Sequence, residues 1–219
     1  MKKIQSLADP GGESAAAELS SRDRILQAGR ELFAENGYEN TTTSAIARRA
    51  GTSESQLIKH FSSKEGLLEG IFDQAWRRMA VGVERIREDE APALERLRAL
   101  TEMMMAAMEG DRQLRTLMLL EGRRIRKHGR MVMMTRGFQQ ATAVLDGILR
   151  ELEEAGMLRP GLHPQAVRSA LMGAFEGLMR DQLLAERASY PAHYDGAELR
   201  AVFRTMLESV LVGPGGRTL

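Results

Sequence analysis

The chain has 219 residues, 43% of them hydrophobic and 28% charged, and its formal net charge is +1. A chain of this length can bury a sizeable core, and the composition is typical of a globular protein rather than a disordered or fibrous one. Because the net charge is close to zero, any nucleic-acid contact must come from local clusters of basic residues. The absence of cysteine excludes disulfides and thiolate nucleophiles.

The first residues carry no folding pattern of their own. They contain the Asp9–Gly12 segment and a run of small residues, which predicts a flexible arm over residues 1–19. Lys2 and Lys3 leave a second interpretation open, an arm that enters the minor groove of DNA. Neither a signal peptide nor a stretch of roughly 18 apolar residues is present, so we expect a cytoplasmic protein.

Apolar residues recur at three and four positions from Ser21 onward, and no stretch alternates as a strand would. This period is that of amphipathic helices, so the sequence predicts an all-α protein with about nine helices. Three short helices are expected up to Phe61, with Gly37 and Gly51 at helix ends, and about six longer helices after it.

A short helix, a glycine turn and a second short helix are predicted between residues 42 and 61. Thr42 can cap the first of these helices, whose Ile46 and Ala47 face inward. The turn is the Gly51–Ser53 segment, a connection expected in a helix-turn-helix motif.

Two capping boxes bound the third helix of the chain. Ser53 and Gln56 form an S-x-x-Q box at its start, and Ser62 and Glu65 form an S-x-x-E box that starts the fourth helix. The apolar residues expected in the core are Leu57, Phe61 and Ile58. The residues left outside are Glu54, Ser55, Gln56, Lys59 and His60.

Basic residues dominate the segment between Thr41 and Lys64. Its cationic side chains are Arg48, Arg49, Lys59 and Lys64, and Glu54 is the one anionic side chain. Contacts with DNA phosphates require a local excess of this kind. A solvated charged face on a small helical bundle is the alternative interpretation.

The same region resembles the N-terminal pattern of the TetR family of transcription regulators. The matching segments, in order and spacing, are Arg24–Leu26, Leu32–Tyr38, Thr41–Thr43, Ile46–Ala47, Ala50–Ser53 and His60–Glu65. The resemblance covers residues 22–68. It implies that the third helix reads the major groove and that Thr42 and Lys64 hold phosphates.

One position departs from the family pattern. Ile58 stands where the family usually has a tyrosine that touches the DNA backbone, and isoleucine cannot donate that hydrogen bond. The residues that we expect to bind DNA are Thr42, Thr43, Arg48, Ser53, Ser55, Gln56, Lys59, His60 and Lys64.

The last two helices have a pattern that favours dimerisation. The apolar stripe of the last helix comprises Leu199, Val202, Phe203, Met206, Leu207, Val210 and Leu211. The small residues on one face of the helix before it are Ala166, Ala170, Gly173, Ala174 and Gly177. The expected homodimer interface contains Gly173, Gly177, Val202, Phe203, Met206 and Val210. An intramolecular helix pair is the alternative.

Methionine is abundant in the middle of the chain, and flexible thioethers line adaptable pockets as well as filling irregular cores. The effector pocket is expected among Trp76, Met79, Met104, Met108 and Met118. A basic run, Arg123–Arg136, lies beside these methionines and contains no acidic residue. It is open to three interpretations: a solvated surface, an anion-binding rim for an acyl-CoA or fatty acid, and a surface that approaches DNA.

No catalytic pattern accompanies these features: the four histidines are scattered, and neither a phosphate loop nor a nucleophile elbow is present. We expect no enzyme activity, no cofactor and no metal.

We assign residues 20–66 to a DNA-binding domain and residues 67–219 to a helical effector-binding and dimerisation domain. Together with these features, the resemblance to the TetR family implies a dimeric repressor that an apolar or amphipathic effector releases from a palindromic operator. The alternative is a helical small-molecule-binding protein without DNA function.

Overall fold

The computed structural model describes residues 19–213, which are mostly helical, and the all-α prediction is confirmed. The nine α-helices of this part are α1 Ser21–Asn36, α2 Thr43–Arg49, α3 Glu54–Phe61, α4 Lys64–Glu88, α5 Ala93–Gly110, α6 Arg112–Thr116, α7 Arg136–Glu154, α8 Pro164–Arg187 and α9 Gly196–Ser209. Of the arm expected over residues 1–19, all but Leu19 lies outside the described residues.

Two local features differ from the prediction. Helix α6 has only five residues and continues into a π-helical turn, Leu117–Glu121, so not every helix after α3 is long. A small antiparallel hairpin also follows, with β1 Arg126–Lys127 paired to β2 Arg130–Met131. The two residues of its turn, His128 and Gly129, have positive φ angles of 50° and 78°. Type I′ hairpin turns require positive φ at both of these positions.

The buried apolar side chains form two clusters. The N-terminal core packs α1, α2, α3 and the first part of α4 together, and it also contains Leu117 of the π turn. The C-terminal core packs the rest of α4 with α5, α7, α8 and α9. Met118 and Phe138 pack against both clusters, so the two cores are in direct contact.

Helix α4 runs without a break through the boundary predicted after residue 66. Leu67 and Leu68, which follow that boundary, belong to the N-terminal core. Gly29 of α1 allows this packing, because a Cβ there would lie 2.7 Å from a methyl carbon of Leu67. The division into residues 20–66 and 67–219 therefore stays a proposal. Within residues 19–213, no helix has both the length and the apolarity to cross a membrane.

Candidate DNA-binding surface and effector cavity

Helices α2 and α3 begin where the capping residues of the sequence predict. The Thr42 side chain accepts a hydrogen bond from the backbone N–H of Ala45, with 3.2 Å between oxygen and nitrogen. The Ser53 side chain accepts from the backbone N–H of Gln56 at 3.3 Å. These bonds satisfy N–H groups that the first helical turn leaves without partners. Gly51, at a positive φ of 61°, lies in the turn between the two helices.

One face of α3 is buried and the other is open. Leu57 and Phe61 lie in the N-terminal core, as predicted. The exposed residues of the helix are Glu54, Ser55, Gln56, Ile58, Lys59 and His60. The expectation that Ile58 is buried was wrong: 44% of it is exposed, because it follows Leu57 by about 100° around the helix and turns away from the core.

The start of α4 also differs from the prediction. Ser63, not Ser62, caps the helix, and its hydroxyl accepts from the N–H of Gly66 at 3.0 Å. Ser62 instead ends α3 with a positive φ of 65°. Gly66 fits this tight junction because a Cβ there would lie 1.9 Å from the carbonyl oxygen of Phe61.

The hydroxyl groups around α2 and α3 interact locally. Thr43 donates to the carboxylate of Glu54, which links α2 to the first turn of α3. Ser53 and Ser55 are hydrogen-bonded through their hydroxyls at 2.8 Å. These side chains brace the motif, and the exposed ones keep acceptor or donor capacity for a further partner.

Lys64 has a structural role that the sequence did not indicate. Its ammonium donates to the carbonyl oxygens of Tyr38 and Thr41, both at 3.0 Å. It also lies 4.2 Å from the centre of the Tyr38 ring. Two of its three N–H groups therefore hold the loop between α1 and α2, and one is left for a phosphate.

The basic side chains of the motif divide into paired and unpaired groups. Arg49 forms ion pairs with Glu31 and Glu35 of α1. Arg48 and Lys59 are exposed and have no carboxylate partner among residues 19–213. Arg48 and Lys59 therefore supply positive charge that the described part of the protein does not neutralise.

An apolar cavity of about 120 Å³ lies within the C-terminal core. Four of the five predicted pocket residues line it: Trp76, Met104, Met108 and Met118. Met79 does not, and that expectation was wrong. It lies about one turn beyond Trp76 on α4 and packs against the C-terminal core outside the cavity.

The cavity wall contains residues that the sequence pattern did not single out. Phe138 meets Trp76 edge-on, with 5.7 Å between ring centroids. The polar lining residues are Thr101, Thr142 and Glu176. The Glu176 carboxylate accepts from Arg123 at 2.5 Å. These residues come from α5, α7 and α8, and no local motif connects them, so only the tertiary structure brings them together.

The apolar stripe of α9 is divided between two faces. Val202 and Met206 are 49% and 38% exposed. Phe203 is only 5% exposed and packs edge-on against Phe175. Phe203 was therefore wrongly expected in a dimer interface: it lies in the C-terminal core and lines the cavity.

Three further predicted interface residues have distinct environments. Gly173 and Gly177 of α8 face open space, since a Cβ at either would meet no atom within 4 Å. Val210 packs partly buried against the C-terminal core, and its carbonyl oxygen accepts from the backbone N–H of Arg159. The face that remains open on α8 and α9 contains Gly173, Gly177, Val202 and Met206; we call it the outer α8/α9 face.

Comparisons with known proteins place this geometry in a family. Residues 25–71 match the sequence profile of bacterial regulatory proteins of the tetR family. The chain is 30% identical to the nucleoid occlusion factor SlmA of Aliivibrio fischeri over 166 residues, which cover 71% of this chain and 80% of that protein. The chain belongs to the TetR family. It is therefore a DNA-binding transcription regulator, as predicted, and not an enzyme.

Other relatives of this TetR-family protein agree with the assignment. The fatty acid metabolism regulator protein of Bacillus subtilis is 29% identical over 158 residues, or 70% of this chain and 78% of that one. The crystal structure of FadR from Bacillus subtilis has a TM-score of 0.70 at 24% identity, covering 86% of this chain and 98% of that chain. SmeT, the repressor of a Stenotrophomonas maltophilia multidrug efflux pump, has a TM-score of 0.68 at 23% identity, covering 90% and 92%. These structural likenesses show the fold.

Proposed function

We propose that this TetR-family regulator is a dimeric repressor that an apolar or amphipathic effector releases from a palindromic operator. The observation that supports it most is the position of the π turn. Leu117 is part of the N-terminal core, while Met118 and Leu119 line the cavity. Glu121, the last residue of the turn, accepts a hydrogen bond from the backbone of Tyr38, next to α1. The same five residues thus touch the cavity and the loop that joins α1 to the helix-turn-helix.

The proposed DNA contacts lie on the open side of the motif. Gln56 can pair with adenine in the major groove, and Lys59, His60 and Arg48 can approach phosphates. The hydroxyls of Thr42, Thr43, Ser53 and Ser55 lie beside them at the helix N-termini, which favour anions. Lys64 can add one donor without leaving the α1–α2 loop. Ile58 adds apolar contact but no hydrogen bond.

The outer α8/α9 face is the proposed dimer interface. Its glycines allow a second helix to approach closely, and Val202 and Met206 supply exposed apolar surface. A two-fold pair would present two α3 helices to successive major grooves, about 34–36 Å apart. Such a dimer reads a palindromic operator. A regulator of this kind acts on the chromosome, so a cytoplasmic location remains part of the proposal.

The cavity defines the class of effector. It is apolar apart from Thr101, Thr142 and Glu176, and its volume is close to that of the engineered cavity, about 150 Å³, that binds benzene. The FadR neighbour was crystallised with stearoyl-CoA. An acyl chain is therefore our first candidate for this chain as well. A long chain requires the flexible methionines of the wall to move.

In this proposal the effector releases the protein from the operator by shifting the population between two arrangements of the dimer. An effector weakens operator binding only if it favours an arrangement in which the two α3 helices no longer match the groove spacing. Helix α4 is one lever, since it runs from the helix-turn-helix to Trp76 at the cavity. The π turn is a second, and π-helical turns occur frequently at functional sites.

Selection of DNA from a random-sequence duplex pool tests this function. We expect the protein to enrich a palindromic sequence and Gln56→Ala to enrich a degenerate version of it, because glutamine contacts the base edges. Leu57→Met, a volume-conserving change in the core, is the control and should enrich the wild-type sequence. Failure of the wild-type protein to enrich any sequence would contradict the proposal.

A further inference from the structure

A basic hairpin lies outside the helix-turn-helix. It comprises residues 123–131, and Arg136 follows it at the start of α7. Three cations of the region are paired: Arg123 with Glu176, Arg124 with Glu39, and Lys127 with Glu69. The cations with no carboxylate partner between residues 19 and 213 are Arg126, Arg130 and Arg136, all exposed. Arg126 donates to the carbonyl oxygen of Arg123, which leaves most of its guanidinium open.

The hairpin is fixed to the DNA-binding end of the protein. Ile125 within the hairpin and Val132 directly after it are 8% and 2% exposed and belong to the N-terminal core. The ammonium of Lys127 lies 2.6 Å from the carboxylate of Glu69 in α4. The basic hairpin is therefore anchored to the same core as the helix-turn-helix.

The hairpin is also continuous with the outer end of α3. Lys127 and Arg136 line a depression that they share with His60, Ser62 and Arg22. The two carboxylates in this depression are both engaged, Glu69 by Lys127 and Asp73 by Arg77 at 3.1 Å. A strip of positive charge thus extends from the last turn of α3 to the hairpin.

We propose that the basic hairpin is a second contact with the DNA backbone, in which Arg126 and Arg130 hold phosphates that α3 does not reach. The inference rests on the proposed binding of DNA through α3. Guanidinium groups match phosphate geometry, and duplex DNA offers a phosphate every ~1.7 Å along its axis. The tight turn at His128 and Gly129 presents the two arginines from a short, preformed scaffold.

An anionic effector is a weaker match for these arginines. None of the three unpaired ones lines the cavity, whereas Glu176, which does, is already paired with Arg123. The headgroup of a ligand that leaves the cavity on this side would meet that ion pair first. The unpaired arginines are all exposed. The register pairs Arg126 with Met131 and Arg130 with Lys127, so these two arginines lie on opposite faces of the hairpin and would hold separate phosphates of a large polyanion.

The test compares two double variants on a duplex that the wild-type protein has selected from a random pool. Arg126→Ala/Arg130→Ala removes the proposed contacts. Arg150→Ala/Arg159→Ala is the matched control, because both residues are exposed and neither has a carboxylate partner in the described part of the chain. We measure the dissociation constant at 50 to 200 mM salt, together with hydroxyl-radical footprints of the DNA backbone.

The hairpin variant should lower the slope of log affinity against log salt by about 3.6, or 0.9 for each of the four phosphate contacts that the dimer loses. The affinity lost between 50 and 200 mM salt then shrinks by roughly a hundredfold, and one patch of backbone protection disappears from each half-site. The base preference should not change. The control variant should behave as the wild type does, and Arg130→Lys should keep most of its contact.

An unchanged salt slope and footprint in the hairpin variant would overturn the inference. So would a loss of stearoyl-CoA binding with unchanged DNA binding, which would make the hairpin a rim of the effector site. A further variant, Lys59→Ala, distinguishes a failure of the hairpin inference from a failure of the proposed function. If Lys59→Ala lowers the slope while the hairpin variant does not, only the second contact is wrong; if the wild type binds no duplex, both proposals are wrong.

Discussion

The backbone N–H of Tyr38 donates a hydrogen bond to the carboxylate of Glu121, with 3.3 Å between nitrogen and oxygen. Tyr38 lies between α1 and α2 in the N-terminal core. Glu121 ends the π turn whose Met118 and Leu119 line the cavity. The bond therefore joins the loop that leads into the helix-turn-helix to the turn that lines the cavity.

Removing this bond should weaken the link between cavity and DNA. In Glu121→Ala we predict that the factor by which an effector weakens operator binding falls about fivefold, because one such hydrogen bond contributes roughly 1 kcal/mol. Operator titrations with and without saturating stearoyl-CoA measure this factor. Glu151→Ala, an exposed carboxylate of α7 paired with Arg96, is the control. If stearoyl-CoA weakens operator binding by the same factor in Glu121→Ala as in the wild type, the bond does not contribute to the coupling.

The Tyr38 side chain should make stability depend on pH. Its hydroxyl donates to Glu65 at 2.7 Å, and this bond lowers the pKa of Glu65 below its ordinary value. Burial, and then the bond to Glu65, raise the pKa of Tyr38 well above 10. A lowered carboxyl pKa stabilises the fold above the unfolded-state pKa of about 4.3, and that contribution is lost as the pH falls through the folded-state value. A raised tyrosine pKa stabilises below about pH 10, and its contribution is lost as the pH rises through the folded-state value.

We therefore predict that Tyr38→Phe lowers the free energy of unfolding by about 1 kcal/mol at pH 7. The difference from the wild type should shrink as the pH falls below the unfolded-state pKa of about 4.3 and through the lowered folded-state pKa of Glu65. Urea unfolding at pH 3, 5 and 7 measures it. Tyr190→Phe, which changes an exposed ring, should match the wild type throughout. A difference that does not vary with pH would contradict the role given to Glu65.

Lys59 and Lys64 should respond differently to alanine. Lys59 is exposed, so Lys59→Ala, which removes one contact from each half of the dimer, should lower the salt slope of DNA binding by about 1.8 and leave the melting temperature unchanged. Lys64→Ala should also cost about 1–3 kcal/mol of stability, because two backbone carbonyl oxygens lose a charged donor. Thermal melts and salt-dependent titrations check both. Equal melting temperatures in the two variants would contradict the structural role of Lys64.

Changes on the two faces of α9 should separate dimerisation from folding. Met206→Glu, on the outer α8/α9 face, should produce folded monomers that bind the operator weakly. Phe203→Ala should cost about 3–5 kcal/mol of stability, since the ring lies in the C-terminal core against Phe175. Sedimentation and thermal unfolding distinguish the two results. A wild-type protein that sediments as a monomer at micromolar concentration would refute the proposed interface.

Local patterns predicted the helix-turn-helix well because short-range chemistry determines it. Thr42 and Ser53 cap helices through bonds that span three residues, so the sequence contains both partners. The same reasoning failed by one position at Ser62, because φ at that residue is positive and the choice between Ser62 and Ser63 depends on how α3 ends. The side of α3 that Ile58 occupies depends on helix packing rather than on its own apolarity.

The cavity and the outer face depend on long-range packing. The methionines indicated a pocket, and Met104, Met108 and Met118 do line it. Glu176 and Phe203 could not be assigned to it, since they come from helices that follow those methionines by more than 50 residues. The stripe of seven apolar residues, five in α9 and two directly after it, likewise does not show which of its two faces the same chain covers.

Reciprocal titration of operator and effector tests the central claim most directly. Trp76, the single tryptophan of the chain, lies in the cavity wall, so its fluorescence reports effector binding. We predict that saturating operator weakens the binding of stearoyl-CoA by the same factor by which stearoyl-CoA weakens the binding of operator, as linkage requires. A ligand that binds tightly at Trp76 and leaves the operator affinity unchanged would contradict the account.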